Sequence, residues 1–393
     1  MLRAMKRKEE KKAQAQAPAP YLAGLDFLKV SLHMDWDAEW FMKTLHDFKE
    51  EFQEEELNPN AEAKERSLIL DGGIKFNMSA KGTSNYPYLL SCGDIRLLFS
   101  NHQADSQFPN CRIEIGSMSC WNPGFQQLFD KIVRWLRCWG GTIRKQLPSE
   151  FHMAVDLLDV DFNQTGFDNI RRWVTKANQY NIHGEYRTPN YIAFGKGQFM
   201  LRIYNKTGEL KEGSKKESFF HALWAEHVQA LPPKKVTRIE FQIRRTKIKE
   251  LQIKTVGELA KKLNSIWNYC VNKWCRFCAT DISEEDRKNN NQQRYTTAFI
   301  WEFVRSIRFN GAKVYKIKFH KVKCVNVEAL QKQAAGCLLA ICAAKGMEPD
   351  DYERHIVSSF GMIDEQIRQN YKGDSAEYIR KIETKYNAAH LTV

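Results

Sequence analysis

The chain has no long apolar run. Its longest, "GCLLAICAA" at residues 336–344, is far too short to cross a bilayer. No apolar segment follows the charged N-terminus either. "MLRAMKRKEEKKAQAQAPAP" runs into Ala, Gln and Pro, which reads against secretion and for a cytoplasmic protein. Nothing resembles a disulfide framework: ten Cys are scattered through 393 residues and read as reduced thiols. Cys275 and Cys278 form a C-x-x-C pair with no matching ligands at zinc-finger spacing, and they read as buried. The helical stretch 326–388 carries no helix-turn-helix signal, and the chain shows no residue-level repeat. None of the ten His stands two positions from another, so a His-hydrophobic-His metal pair is absent.

What is present is positive charge. Sixty Lys and Arg against 47 Asp and Glu leave a formal +13, of which residues 1–20 hold a minor part. Such an excess points to a polyanionic partner, DNA or RNA.

Hydrophobic periodicity divides the rest. A strand is expected at 25–34, a helix at 37–52, a hairpin on "DGG", two more strands, and a helix at 122–141 ended by "GG". The order then recurs: strand 151–162, helix 165–180, hairpin 191–206 on "GKG", helix 217–231, strand 236–245 and helix 255–274. The predicted fold class is α+β. It has duplicated strand-helix-hairpin-strand-helix units with antiparallel sheets, then a mostly helical C-terminal region. The corresponding domains are a disordered basic tail (1–20), an N-terminal α+β unit (21–145), a second α+β unit (146–310) and a C-terminal strand and helical region (311–393). Residues 279–297 read as a loop, 298–307 as a helix and 312–323 as an alternating strand.

Strand alternation places residues i, i+2 and i+4 on one face. In "LRIYNK" that face holds Arg202, Tyr204 and Lys206; in "TRIEFQIRR" it holds Arg238, Glu240, Gln242 and Arg244; in "FHMAVD" it holds His152, Ala154 and Asp156. Should the three faces meet, they assemble a phenol, cations, carboxylates and an imidazole. Flanking cations favour a phenolate and neutralise a phosphodiester, while His and carboxylates suit Mg²⁺ or Mn²⁺. Each strand taken alone reads first as ordinary structure, a packed aromatic and a solvated charged face, and His152 alone as a satisfied core or surface His.

Five segments in order resemble the trans-acting replication initiation factors (Rep_trans family): "CRIEIGSMSCW", "EFHMAVD", "YIAFGKGQFMLRIYNKTGEL", "VTRIEFQIRR" and "WCRFCA" with "TTAFIWEFV". The likeness spans roughly residues 25–305. It implies a rolling-circle replication initiator, or a conjugative relaxase of the same chemistry. Tyr204 would attack one DNA strand at an origin, leaving a 5′-phosphotyrosine and a free 3′-hydroxyl, with Arg202 and Lys206 beside it. The resemblance further implies a divalent metal held by Asp156 and Glu240 with His152 and Glu209, and a homodimer; the helices at 326–388 are the candidate contact for DNA, a host helicase or a second subunit. Arg238, Arg244, Arg245, Lys196 and Lys318 are the candidate phosphate contacts. Three positions depart from the family pattern: Asn205, His152 and Glu150 stand where it has Asp, Asp and Arg. Two other readings use the same faces: a non-catalytic nucleic-acid-binding module, and a nuclease in which water attacks.

Overall fold

A computed structural model describes residues 19–309 apart from 38, 57–64, 71–73, 211 and 291, and also 314, 317, 327–346, 352–370 and 376–382. The predicted N-terminal tail up to residue 18 and nearly all of the predicted strand 312–323, with Lys318, lie outside the described residues. The chain divides into two compact units, residues 1–319 and 320–393.

The first half of the larger unit runs β1 (Tyr21–Trp36), α1 (Glu39–Glu56), β2 (Glu65–Leu70), β3 (Ile74–Ser79), β4 (Tyr88–Cys92), β5 (Ile95–Phe99), β6 (Cys111–Ile115) and α2 (Phe125–Cys138). The second runs β7 (Gly141–Leu158), β8 (Trp173–Thr175), β9 (Tyr180–Glu185), β10 (Thr188–Lys196), β11 (Phe199–Asn205), α3 (Lys215–Val228), β12 (Val236–Arg244), α4 (Val256–Tyr269), β13 (Cys275–Phe277) and α5 (Phe299–Ser306). The smaller unit holds α6 (Val327–Ala344) and α7 (Tyr352–Asn370), between which Cys342 Sγ lies 3.1 Å from Ser359 Oγ. The architecture is α+β with antiparallel pairing, as the periodicity predicts. Among the described residues no helix is long and apolar enough to cross a membrane.

Eleven strands form one sheet in the order β2-β3-β4-β5-β6-β1-β7-β12-β11-β10-β9. One face is apolar across its whole width. Val30, Ile113 and Leu97 line it in the first half and Val155, Ile239 and Ile203 in the second, all in one core with Leu128, Ile132 and Leu136 of α2 and Leu259, Leu263 and Ile266 of α4. Helical spacing gives α2 and α4 their apolar stripes, and burial against the sheet stabilises both. The opposite face carries the polar residues of every alternating strand.

The order repeats about the central β1–β7 pair: β6, β5 and β4 follow β1 outward as β12, β11 and β10 follow β7. Registers match as well. Arg96 faces Glu114 and Leu98 faces Arg112, just as Arg202 faces Glu240 and Tyr204 faces Arg238. A residue correspondence that sequence inspection did not find is therefore set by pairing: Arg-Ile-Glu occurs at 112–114 and again at 238–240.

One predicted element is absent. Residues 165–180 do not form a helix: Gly166, with φ 69°, ends a single turn, the Asn169 side chain caps a short 3₁₀ turn, and β8 follows. Here turn chemistry and tertiary packing override the helical spacing. Trp173 donates to the Phe167 carbonyl at 2.8 Å and packs its ring on Phe194, Phe277 and Trp301. The predicted "GKG" hairpin does form, with Gly195 (φ 85°) and Gly197 (φ 71°) in the left-handed region that side chains avoid.

Candidate active site

The polar faces of β7, β12 and β11 adjoin, because these strands are neighbours in register. Asp156, Arg238 and Tyr204 form one row across the sheet; Ala154, Glu240 and Arg202 form the next; His152 lies opposite Gln242. Ala154, without a long side chain, leaves room beside Glu240.

Glu240 is the hub. Its Oε2 accepts from the Tyr204 hydroxyl at 3.0 Å, while its Oε1 is held by Arg202 and lies 2.9 Å from His152 Nδ1. The other nitrogen of His152 is 3.0 Å from Glu150, which also accepts from Gln242 at 2.6 Å and Arg244 at 3.1 Å. Burial opposes ionisation of Glu240, but the His152 hydrogen bond and the Arg202 charge outweigh it and lower its pKa to about 2. Burial likewise works against charging His152, but Glu150 and Glu240 reverse this and raise its pKa.

Tyr204 is a neutral phenol here, contrary to the expected phenolate. Burial pushes its pKa well up, and the Glu240 carboxylate adds to the shift. The expected cations do not meet its hydroxyl: Arg202 bonds to Glu240, and Lys206 lies beyond the strand. Asn205 ends β11 by capping the turn Lys206–Glu209, its side chain accepting from Gly208 N at 3.1 Å. Asn205 thus serves as an N-cap, a role open to Asn and Asp alike. Lys206 is buried, 5.8 Å from the Tyr204 ring centroid and 4.8 Å from that of Phe220, and pairs with Glu209 at 2.5 Å. Burial and the Arg238 charge lower its pKa to about 8.

A second buried cluster adjoins the first. Asp156 accepts from Arg238 Nε at 2.6 Å and Nη2 at 2.8 Å, and from the Trp224 indole at 2.9 Å. Arg238 Nη1 reaches Asp26 at 2.5 Å, and Asp26 also accepts from Trp121 and Ser117. Gly24 makes this approach possible: a Cβ there would stand 3.0 Å from the Trp121 ring. Arg238 is therefore not a surface phosphate contact as expected; it is fully buried between two carboxylates. Lys196 and Arg244 are exposed, and Arg245 donates to the Pro148 carbonyl.

The four expected metal ligands do not come together. Both oxygens of Asp156 are engaged by Arg238 and Trp224, and Glu209 is engaged by Lys206 and Lys216, so only His152 and Glu240 adjoin. Among the described residues no three His, Cys, Asp or Glu side chains are grouped to hold a metal ion. This arrangement of donors does not fit a divalent ion.

Asp26, Trp121 and Trp224 escaped the sequence reading. Asp26 had a signal, a lone carboxylate in the apolar run "LDFLKV", but a register shift between Leu25 and Phe27 is what turns it toward Arg238.

No family model and no characterised protein sequence matches the chain. Among solved structures it is similar to a rolling circle replication initiator protein from Geobacillus stearothermophilus, at 12% identity and a TM-score of 0.41, over 75% of this chain and 100% of that one.

Proposed function

We propose that the protein cuts one strand of DNA by transesterification onto Tyr204, as an initiator of rolling-circle replication. The observation that carries this reading is the Tyr204–Glu240 hydrogen bond inside a cluster of Arg202 and His152. A base touches the nucleophile, and cations stand where a phosphate would enter. Arg202 Nε is buried and has no hydrogen-bond partner among the described residues, so it is a donor that a phosphate oxygen can use.

The chemistry follows from competition for these cations. Glu240, near pKa 2, is a weak base while Arg202 and His152 hold it. A phosphodiester draws both cations to its own oxygens, which raises the basicity of Glu240 and stabilises the developing charge on phosphorus. The phenol proton passes to Glu240, the Tyr204 Oη–P bond forms, the P–O3′ bond breaks, and the proton is handed on to the departing 3′-oxygen. Asp156, Arg238 and Asp26 hold the strands in place from the buried side.

The test uses 3′-labelled single strands tiled across the DNA flanking the gene. Wild-type protein should shift label to a protein band on a denaturing gel. Tyr204→Phe should bind the same strands without that band; an adduct surviving in Tyr204→Phe would remove the assignment.

A further inference from the structure

A second tyrosine lies next to the first. Tyr191 of β10 is directly opposite Tyr204 in register, with ring centroids 6.2 Å apart and planes inclined by 34°. Both rings lie on the polar face. The Tyr191 hydroxyl has no hydrogen-bond partner among the described residues, and the charges of Arg202 and Glu240 both act on it. On its other side the ring adjoins His183 at 5.3 Å, on β9, a strand exposed along its whole length. Tyr191 is thus half-buried beside the reacting groups, with an unused hydroxyl and an open edge.

The first half of the sheet supplies an independent observation. The positions matching Tyr191 and Tyr204 there are Leu89 and Leu98, which also face each other. Both are buried and pack with Tyr86. Where the nucleophile position is apolar, its neighbour is apolar too, so the two phenols occur as a pair.

We propose that Tyr191 is a second nucleophile, which lets a single subunit both open and rejoin a strand; this rests on Tyr204 being the first. After the first cut Tyr204 carries a 5′-phosphate and a 3′-hydroxyl is free. When a second scissile phosphodiester enters, Tyr191 Oη attacks its phosphorus: Oη–P forms, P–O3′ breaks, and the phenol proton ends on the departing 3′-oxygen. That new 3′-hydroxyl then attacks the Tyr204 phosphotyrosine, forming O3′–P, breaking P–Oη and returning the proton to Tyr204. Each step exchanges one phosphate ester for another and needs no co-reactant.

The experiment loads the full-length protein with a 3′-labelled strand, then adds a second strand bearing a different 5′ dye. Joining appears as a doubly labelled strand. Trypsin separates the two tyrosines into peptides 188–196 and 203–206, so mass spectrometry locates each nucleotide. Wild type should carry the first nucleotide on 203–206 and, after the second addition, nucleotide on 188–196. Tyr191→Phe should form the first adduct at the wild-type rate yet lose about tenfold or more of the joined product. An unchanged melting temperature and first adduct show that this variant is folded. Joining at the wild-type rate in Tyr191→Phe, with every adduct on 203–206, would overturn the proposal while leaving Tyr204 in place. No adduct on 203–206 in wild type would overturn the Tyr204 assignment and this one with it.

Discussion

The two halves of the sheet hold the same pair and use it differently. In the first half Arg96 reaches Glu114 at 3.3 Å, and Lys29 reaches it at 3.4 Å. In the second, Arg202 and His152 hold Glu240, and Tyr204 adds its hydroxyl. Arg112, the match of Arg238, faces Ser31 instead of an Asp and lies 4.3 Å over the Tyr86 ring. The chain between β5 and β6 has no helix, whereas α3 lies between β11 and β12 and brings Phe220 and Trp224 onto the face. An Arg–Glu pair is therefore something the paired strands supply in either half. The second half additionally has a hydroxyl on the carboxylate, acids that hold the inner Arg, and aromatic rings packed against them.

The largest contrast concerns catalysis. Glu240→Gln should slow formation of the covalent adduct by roughly 10²–10⁴-fold, the usual contribution of a positioned base. Glu114→Gln should leave the rate unchanged in the same gel assay. A comparable loss in both variants would mean that the carboxylates act structurally and would dissolve the difference between the halves.

Next comes stability. Asp156→Ala leaves Arg238 buried with one of its two carboxylate partners and should cost about 3–5 kcal/mol in urea denaturation. Ser31→Ala, opposite Arg112, should cost about 0.5 kcal/mol or less, because Arg112 rests on an aromatic ring rather than on an ion pair.

The pH response sharpens the comparison from the side of Lys206. Its pKa falls from 10.5 to about 8 on folding, so between these values the unfolded chain binds more protons and stability rises with pH. Lys206→Met should remove an increment on the order of 3 kcal/mol between pH 8 and pH 10.5, read from denaturation series at several pH values. Glu240 acts at the acid end with the opposite cause. Its folded pKa is depressed from 4.5 to about 2, so it stabilises above 4.5 and that contribution is lost as pH falls toward 2. Glu240→Gln should flatten that acid limb.

The smallest effect concerns metal. Calorimetric titration of Mn²⁺ into DNA-free protein should show no site at Glu240 and His152, because cations already occupy the carboxylates. Saturable binding that disappears in His152→Ala would show that the ligands regroup.

Much of this site was legible in one dimension. Alternation placed Tyr204 with Arg202, and Glu240 with Arg238, on single faces, and both assignments hold in the paired strands. What alternation cannot convey is what a buried group does with its neighbours. Arg238 read as a phosphate contact because Arg is a surface residue by default, and only the two carboxylates of distant strands make its burial tolerable. The helix expected at 165–180 failed for a similar reason: Trp173 found its packing partners on β13 and α5, about a hundred residues away in the chain.

The sequence by itself determined the period of most elements, 165–180 excepted, hence an α+β protein whose polar residues share strand faces. It also determined the turns, since Gly195 and Gly197 admit a backbone that other residues resist. Tertiary structure alone decided lateral neighbours: Tyr204 beside Tyr191 and Arg238, Asp156 bound to Arg238 rather than grouped with Glu240, and the matching of Leu98 to Tyr204 across the duplicated sheet. The reason is physical. A period of two states which face a side chain takes, whereas register depends on pairing between strands far apart in the chain, where a shift of one residue would turn every side chain to the other face.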